Sequence, residues 1–419
     1  MARTDVSAAA RQALSFPRAR RPLDVGQVID LTEPTTTRPI LIIHSSDDMY
    51  GADRMVLEVI GALSAEDQAR VVVWLPTDYE HGPTPLCKEL EAGGIHCEHL
   101  PLPILRRRYL NASGLSAMGA RVLETRRLLA EMNPSDIILA TSAVLPIAPF
   151  LGRRGSTRVF LHMQEVWQGR EGRVLGGLAS RVDRIIAISE ASKASLPEQL
   201  QERTVVVPNG TAEPEEVVPV RDHNGELVFV TASRWNSWKG HEVLINAWDA
   251  ADCPGRLIIL GGPPAMGAAV DVQALVAASR RPDTIEVRGE VRDAGAVITD
   301  ADVMIVPSTQ PEPFGLVTIE AFARARPVVA SANGGLLETV RDGSGWLVEA
   351  GDVSALAHRL GSLTRDEVSR AGDSARRRYE EMYSREAFRA AMSNALGAHD
   401  SSDVATDRGL DSPAVASGF

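Results

Sequence analysis

Short runs of β-branched and aliphatic residues recur along the chain, and most are trailed by a stretch whose apolar positions fall at helical spacing. In the first half these runs are "PILIIHSS", "ARVVVWLP", "DIILATS", "RVFLHM", "RIIAIS" and "TVVVPN". They are continuously apolar rather than alternating, as strands covered on both faces must be. "GADRMVLEVIGALSAE", after the first run, carries the helical pattern. The segment Gly210 to Glu226, "GTAEPEEVVPVRDHNGE", breaks the rhythm with proline and charge and reads as a linker. The rhythm resumes with "LVFVTAS", "RLIILGG", "IEVRG", "DVMIVPS" and "PVVASA".

Strands alternating with helices predict an α/β fold with parallel sheets, here two Rossmann-like domains. The expected boundaries are a flexible arm at 1–37, an N-terminal domain at 38–213, a linker at 214–226, a second domain at 227–383 and a disordered tail at 399–419. A C-terminal helix at 384–398 is a candidate to complete the first domain. Ligands of open α/β sheets bind outside the carboxyl ends of the strands, so two such domains offer facing ligand edges and a cleft between them.

Composition narrows the function. At 419 residues and 44% hydrophobic content the chain can bury a large core, and its length suits two domains. A net charge of −11 supplies no basic field for nucleic acid, which is not expected as a partner. Cys87, Cys97 and Cys253 are spaced like neither a metal knuckle nor a disulfide framework and read as reduced, buried thiols of a cytoplasmic protein. Apolar runs such as "DIILATSAVLPIAPFLG" are interrupted short of the roughly 20 residues of a membrane span. The Arg-rich N-terminus lacks an apolar signal core.

Candidate chemistry falls at the strand ends. "RWNSWKGHEVLINAW" places Arg234 and Lys239 around a loop before a helix, and Lys239 is one of three lysines among 44 basic residues. Such a stretch is either a helix-entry turn with solvated charges or an anion clamp, Arg offering a planar fork and Lys a point charge to phosphate oxygens. In "STQPEPFGLVTIEAFARA" a helix is predicted to start near Leu316, and Pro313 forbids a continuous helix from Glu312 to Glu320. The two carboxylates therefore have different tasks. Free amides of Gly315, Leu316 and Val317 at the helix start favour an anion such as a diphosphate. Glu320, one turn in, is placed to accept hydrogen bonds from a vicinal diol such as a ribose, and Glu312 to face whatever hangs from the other end of the diphosphate. The plainer reading is a dipole-complementing glutamate and a turn residue.

The chain resembles the retaining family 4 glycosyltransferases of the GT-B fold, whose donor domain carries an E-P-F-G-x-x-x-x-E signature. "YGADRMVLEVIGAL" is similar to that family's first glycine-rich loop and helix, with Asp53 where Glu is usual; "LHMQEVW", "VVVPNG" and "ASRWNSWKG" also fit. The resemblance covers roughly Ile40 to Phe388 and implies that residues 227–383 are the nucleotide-sugar donor domain. It implies that Arg234 and Lys239 bind the donor diphosphate, Glu320 the ribose hydroxyls, and Glu312 with the Phe314-Gly315 backbone the transferred sugar. Leu316 would lend its amide, Gly51 would let its loop approach the donor, and His162, with Glu165 a weaker candidate, would lie near the anomeric centre. The implied activity is transfer of a hexosyl unit to a glycan, glycolipid or small-molecule acceptor, with retention, no cofactor and no metal.

"DAD" at Asp300 to Asp302 superficially resembles a metal-binding aspartate pair but leads into an apolar strand, and "LGGPPAMGAA" lacks the spacing of a dinucleotide fingerprint. A nucleotide-sugar 2-epimerase of the same architecture and a non-catalytic nucleotide-sugar-binding protein are the alternatives. Arg106, Arg107 and Arg108, beside apolar residues, suggest either a solvated loop or peripheral contact with an anionic membrane at the inner face of the cell membrane. The arginine bias is that of a GC-rich bacterial genome.

Overall fold

The computed structural model describes residues 38–78, 84–106, 109, 111–151, 157–220, 225–252, 255–264 and 269–397. The expected arm and tail, Arg107, Arg108 and Cys253 lie outside these residues. The first sheet contains β1 (Ile40–Ile43), β2 (Val71–Pro76), β3 (His96–Leu100), β4 (Asp136–Leu139), β5 (Arg158–Met163), β6 (Arg184–Ala187) and β7 (Thr204–Val206). Their order across the sheet is β3-β2-β1-β4-β5-β6-β7. The second contains β8 (Leu227–Ala232), β9 (Gly255–Leu260), β10 (Ile285–Gly289), β11 (Val303–Val306), β12 (Val328–Ser331) and β13 (Gly345–Val348), ordered β10-β9-β8-β11-β12-β13. Every pairing between these strands is parallel. The α/β fold with two parallel sheets follows the sequence pattern.

The period of two along β1 explains the layering. Leu41 and Ile43 join one core with Trp74, Leu139 and Leu161, while Ile40 and Ile42 join another with Val73, Ile138 and the apolar face of the Gly51–Gly61 helix. The second sheet is likewise covered on both faces.

The chain crosses back at its end. After a π-turn at Tyr379–Tyr383, the Arg385–Leu396 helix lays Phe388, Met392, Ala395 and Leu396 into the core of the first sheet. Full burial of a Phe or Met side chain is worth about 1.5–3 kcal/mol. Arg385 and Arg389 both pair with Glu58 of the Gly51–Gly61 helix.

β3 and β13 were not among the apolar runs. Both are edge strands whose residues are half-buried or exposed, and β3 reads "HCEHL". An edge strand needs no second apolar face. The described part of the linker is tied down: the Thr211 amide donates to the Tyr383 carbonyl, and the Val218 carbonyl accepts from Arg326.

Candidate active site

In both sheets the strand order reverses at a neighbouring pair, β1 beside β4 and β8 beside β11, which opens a crevice at the strand ends. The loop after β8 carries Arg234 and Lys239, and the loop after β11 carries Glu312. Adjacency of these two strands is why residues 73 apart in sequence meet: Lys239 Nζ lies 2.7 Å from Glu312 Oε2 and 3.0 Å from Oε1. The pair is largely desolvated, with side-chain exposures of 17% and 9%. Ser308 Oγ donates to Glu312 Oε2 at 2.9 Å, and the Lys239 ammonium sits 4.0 Å from the centre of the Trp238 ring. Gly240 lets the loop turn here. Its φ is +76°, and a Cβ would stand 1.9 Å from the Pro307 carbonyl oxygen, so only glycine fits.

The helix after the Pro-Phe-Gly turn spans Leu316–Ala323, with Gly315 at its N-cap. The helix starts at Leu316, which separates Glu312 from Glu320. Glu320 accepts from Nη1 of Arg54, on the Gly51–Gly61 helix, at 3.2 Å. Burial raises the pKa of Glu320 against the pull of Arg54 and Arg324. Gly51 abuts the helix start: a Cβ there would lie 2.6 Å from Leu316 Cδ1. The Arg234 guanidinium stacks 4.9 Å from the Tyr50 ring centre. Phe314, by contrast, turns its ring into the core against Tyr383, and its carbonyl accepts from Thr339 Oγ1. Pro313 accepts from Ser189 Oγ, and the Glu338 carboxylate accepts from the Glu190 and Ala191 amides just after β6.

His162, at the end of β5, is buried with its ring nitrogens 3.1 Å from the Gln164 side-chain amide. Burial, with His44 nearby, pushes its pKa down to about 3, so the imidazole is neutral near pH 7. His44 Nε2 in turn bonds Asp53 Oδ1 at 2.9 Å, and Asp53 also accepts from Ser46 Oγ and the Tyr50 amide. Burial works to raise the Asp53 pKa, but the bonds from His44, Ser46 and Tyr50 outweigh it and hold the carboxyl below its ordinary value. The Asp that stands where Glu is usual in the resembled family thus pins the Gly51 loop. Glu165 accepts from Ser142 Oγ at 2.6 Å, and burial raises its pKa. It lines a cavity of about 470 Å³ together with Trp167, Trp238, Gln310, Pro311 and Pro313. Residues flanking Lys239 and Glu312 in sequence therefore wall this space.

His44, Tyr50, Arg54 and Ser308 were not singled out from the sequence. A histidine directly after the first strand was the one visible signal. Asp302 accepts from the Val228 amide and pairs with Arg365, a structural role. Arg106 is bound through two nitrogens to Asp78, and its side chain is only 10% exposed.

Residues 50–210 match the family model described as Glycosyl transferase 4-like domain, and residues 226–366 match Glycosyl transferases group 1. The chain belongs to the family 4 glycosyltransferases of the GT-B fold. The relatives it matches include a phosphatidyl-myo-inositol mannosyltransferase of Mycobacterium leprae, 45% identical over 100 residues covering 22% of this chain and 27% of that protein. Another is a D-inositol 3-phosphate glycosyltransferase of Xylanimonas cellulosilytica, 33% identical over 229 residues, 48% of this chain and 54% of that protein. The chain thus spans between about a quarter and about half of the length of these relatives. Among solved structures, HepE of Anabaena in complex with UDP and glucose superposes with a TM-score of 0.67 at 21% identity, covering 86% of this chain and 99% of that one. Sucrose-phosphate synthase of Thermosynechococcus elongatus gives 0.68 at 23% identity, covering 86% and 98%. At such identities the likeness establishes the shared fold. Among the described residues no helix is long and apolar enough to cross a membrane.

Proposed function

We propose that this glycosyltransferase moves a hexosyl unit from a nucleotide-diphosphate sugar to a glycan, glycolipid or small-molecule acceptor, with retention and without a catalytic metal. The observation that carries the reading is the desolvated Lys239–Glu312 pair at the cleft. A donor would split it: the ammonium passes to a phosphate oxygen, and the carboxylate to a hydroxyl of the sugar. Arg234 adds a planar fork from the same loop, and the first amides of the Leu316–Ala323 helix add a partial positive charge. Together they meet the negative charge that appears on the diphosphate as the sugar C1–O bond breaks. The acceptor oxygen bonds to C1 from the face the phosphate leaves, and its proton passes to the departing phosphate oxygen, so no general base is required. A neutral His162 adds no positive charge beside a sugar ring that is itself becoming cationic. Glu320 takes the ribose diol in exchange for Arg54.

Acceptors bind the 470 Å³ cavity beside Glu165, where Trp167 and Trp238 offer apolar faces to a sugar or polyol ring. A separate apolar groove of about 540 Å³ in the first domain, bordered by Leu115, Leu123 and Phe150, supports peripheral membrane contact. Arg106 is already committed to Asp78, so that contact rests on the apolar groove, and sedimentation with anionic vesicles checks it.

The donor is tested by thermal shift against UDP-, GDP-, ADP- and dTDP-sugars. A ligand at a hundred times its Kd stabilises the fold by about 2.7 kcal/mol. One nucleotide series should raise Tm, with its diphosphate giving most of the shift and Arg234→Ala abolishing it. Proton NMR of the product then shows whether configuration is retained. A sugar inverted at C2 and formed without any acceptor would replace this reading with the epimerase.

A further inference from the structure

We propose that Asp47, Cys87, Cys97 and His99 form a binding site for a zinc-class divalent ion at the outer edge of the first sheet. The four residues come from three elements. Asp47 lies in the loop after β1, Cys87 in the first turn of the Pro85–Ala92 helix, and Cys97 and His99 on one face of β3, two positions apart. One ligand atom each from Asp47, Cys87 and His99 lies within 4.8 Å of the other two. Asp47 Oδ2 is 2.7 Å from His99 Nε2, and the Cys97 thiol is a direct neighbour of the Cys87 thiol.

Around tetrahedral zinc, bonds of about 2.0–2.3 Å put ligand atoms roughly 3.3–3.8 Å apart. Asp47, Cys87 and His99 reach that spacing with shifts of about an ångström or less, and Cys97 would enter the shell from its place beside Cys87. Two sulfurs, an imidazole nitrogen and one carboxylate oxygen suit zinc and its neighbours over magnesium or calcium, which prefer oxygen shells. Asp47 and Cys87 are buried, at 2% and 6% exposure, whereas the His99 side chain is 33% exposed. His99 would therefore form the outer wall through which an ion enters. The other Asp47 oxygen accepts from the Cys87 amide at 3.0 Å, which orients the carboxylate as the outer partners of metal sites do. Ligation also accounts for the composition of β3, a strand whose "HCEHL" has almost no apolar face to bury. The site is made of residues that the donor and acceptor readings do not use.

The test uses untagged full-length protein, kept reduced, stripped with chelator and titrated with Co2+. Expected is one ion per chain with thiolate-to-cobalt charge-transfer absorption and the visible bands of tetrahedral cobalt, both abolished by adding Zn2+. Cys87→Ser should weaken the charge-transfer band, which the remaining thiolate still supplies, and Cys87→Ser/Cys97→Ser should abolish it. His99→Ala, at a half-exposed position that spares the fold as judged by circular dichroism, should weaken binding by at least about 10–100-fold, the range caused by losing even an outer partner. Three results overturn the proposal. One is wild-type binding no tighter than that of His99→Ala. Another is cobalt bound without a charge-transfer band, which means an adventitious ion only. The third is a Cys87–Cys97 disulfide that forms as readily in protein saturated with Zn2+ as in the stripped protein.

Discussion

Replacing Lys239 by Ala tests the active site at its most informative point, because stability and turnover should part company. Removing the ammonium leaves the Glu312 carboxylate, 9% exposed, with the Ser308 hydroxyl as its remaining close side-chain partner. Breaking a fully buried pair costs about 3–5 kcal/mol and an exposed one about 0–1 kcal/mol. This pair, at 17% and 9% exposure, falls between them. A loss of about 1–3 kcal/mol, or roughly 2–4 °C per kcal/mol, is expected in Tm. Turnover should fall further, by about a hundredfold or more, as when one preorganised donor to a developing oxyanion is lost. The double variant Lys239→Ala/Glu312→Gln separates the two effects. A neutral amide needs no counter-charge, so Tm should recover while turnover stays low. The assays are differential scanning calorimetry and single-turnover product formation with the donor chosen by thermal shift. Wild-type-like turnover in folded Lys239→Ala would refute the reasoning, as would recovery of turnover in the double variant.

Acid stability should report on His162. Its folded pKa of about 3 lies below the ordinary value of 6.5, so the unfolded chain binds the extra proton first and stability is lost as pH falls from 6.5 towards 3. Each pH unit in that window costs about 1.4 kcal/mol per such group, and urea unfolding of His162→Gln between pH 6.5 and 4.5 should show a correspondingly shallower decline. Arg54→Ala removes an exposed partner worth about 0.2–1 kcal/mol, so Tm should barely move while nucleoside diphosphate binding, measured by calorimetry, tightens because Glu320 is already free. Glu320→Ala should weaken the same binding, and equal affinity in both variants would remove the ribose role. Addition of Mg2+ or Mn2+ should not raise steady-state turnover if, as proposed, Arg234, Lys239 and a helix start supply the positive charge, and a metal-dependent rise would reopen that assignment.

The central strands were legible because a strand buried on both faces must be apolar at every position, as "ILII" and "VMIV" are. β3 and β13 escaped because an edge strand is free of that demand. Pro313 was enough to place Glu312 outside the helix that carries Glu320, and the predicted helix start at Leu316 is where the helix begins. Pairings were not legible. Nothing local in "SWKG" or "PEPFG" says that Lys239 holds Glu312, since that contact depends on β8 and β11 being neighbours. Arg54 meeting Glu320, 266 positions away, requires both sheets to be in place. Spacing along the chain says nothing of the cysteines' neighbours, since Cys87 meets Asp47 and His99 only across a sheet edge, and Cys97 is partly exposed rather than buried as its apolar character suggests.

The return of the Arg385–Leu396 helix to the first sheet has a consequence for how the protein is made. A ribosome releases the first seven strands long before it reaches Phe388 and Met392, which are 1% and 0% exposed in the finished molecule. During synthesis of the whole second sheet, the face that these side chains will cover stays open to water and to other nascent chains. Domains fold as they emerge, at about 5–20 residues per second, so the roughly 180 residues that follow β7 leave that face bare for something on the order of ten seconds or longer. A chain stalled or clipped before Ser384 would keep it bare permanently, making the last helix the step that commits the first half to solubility.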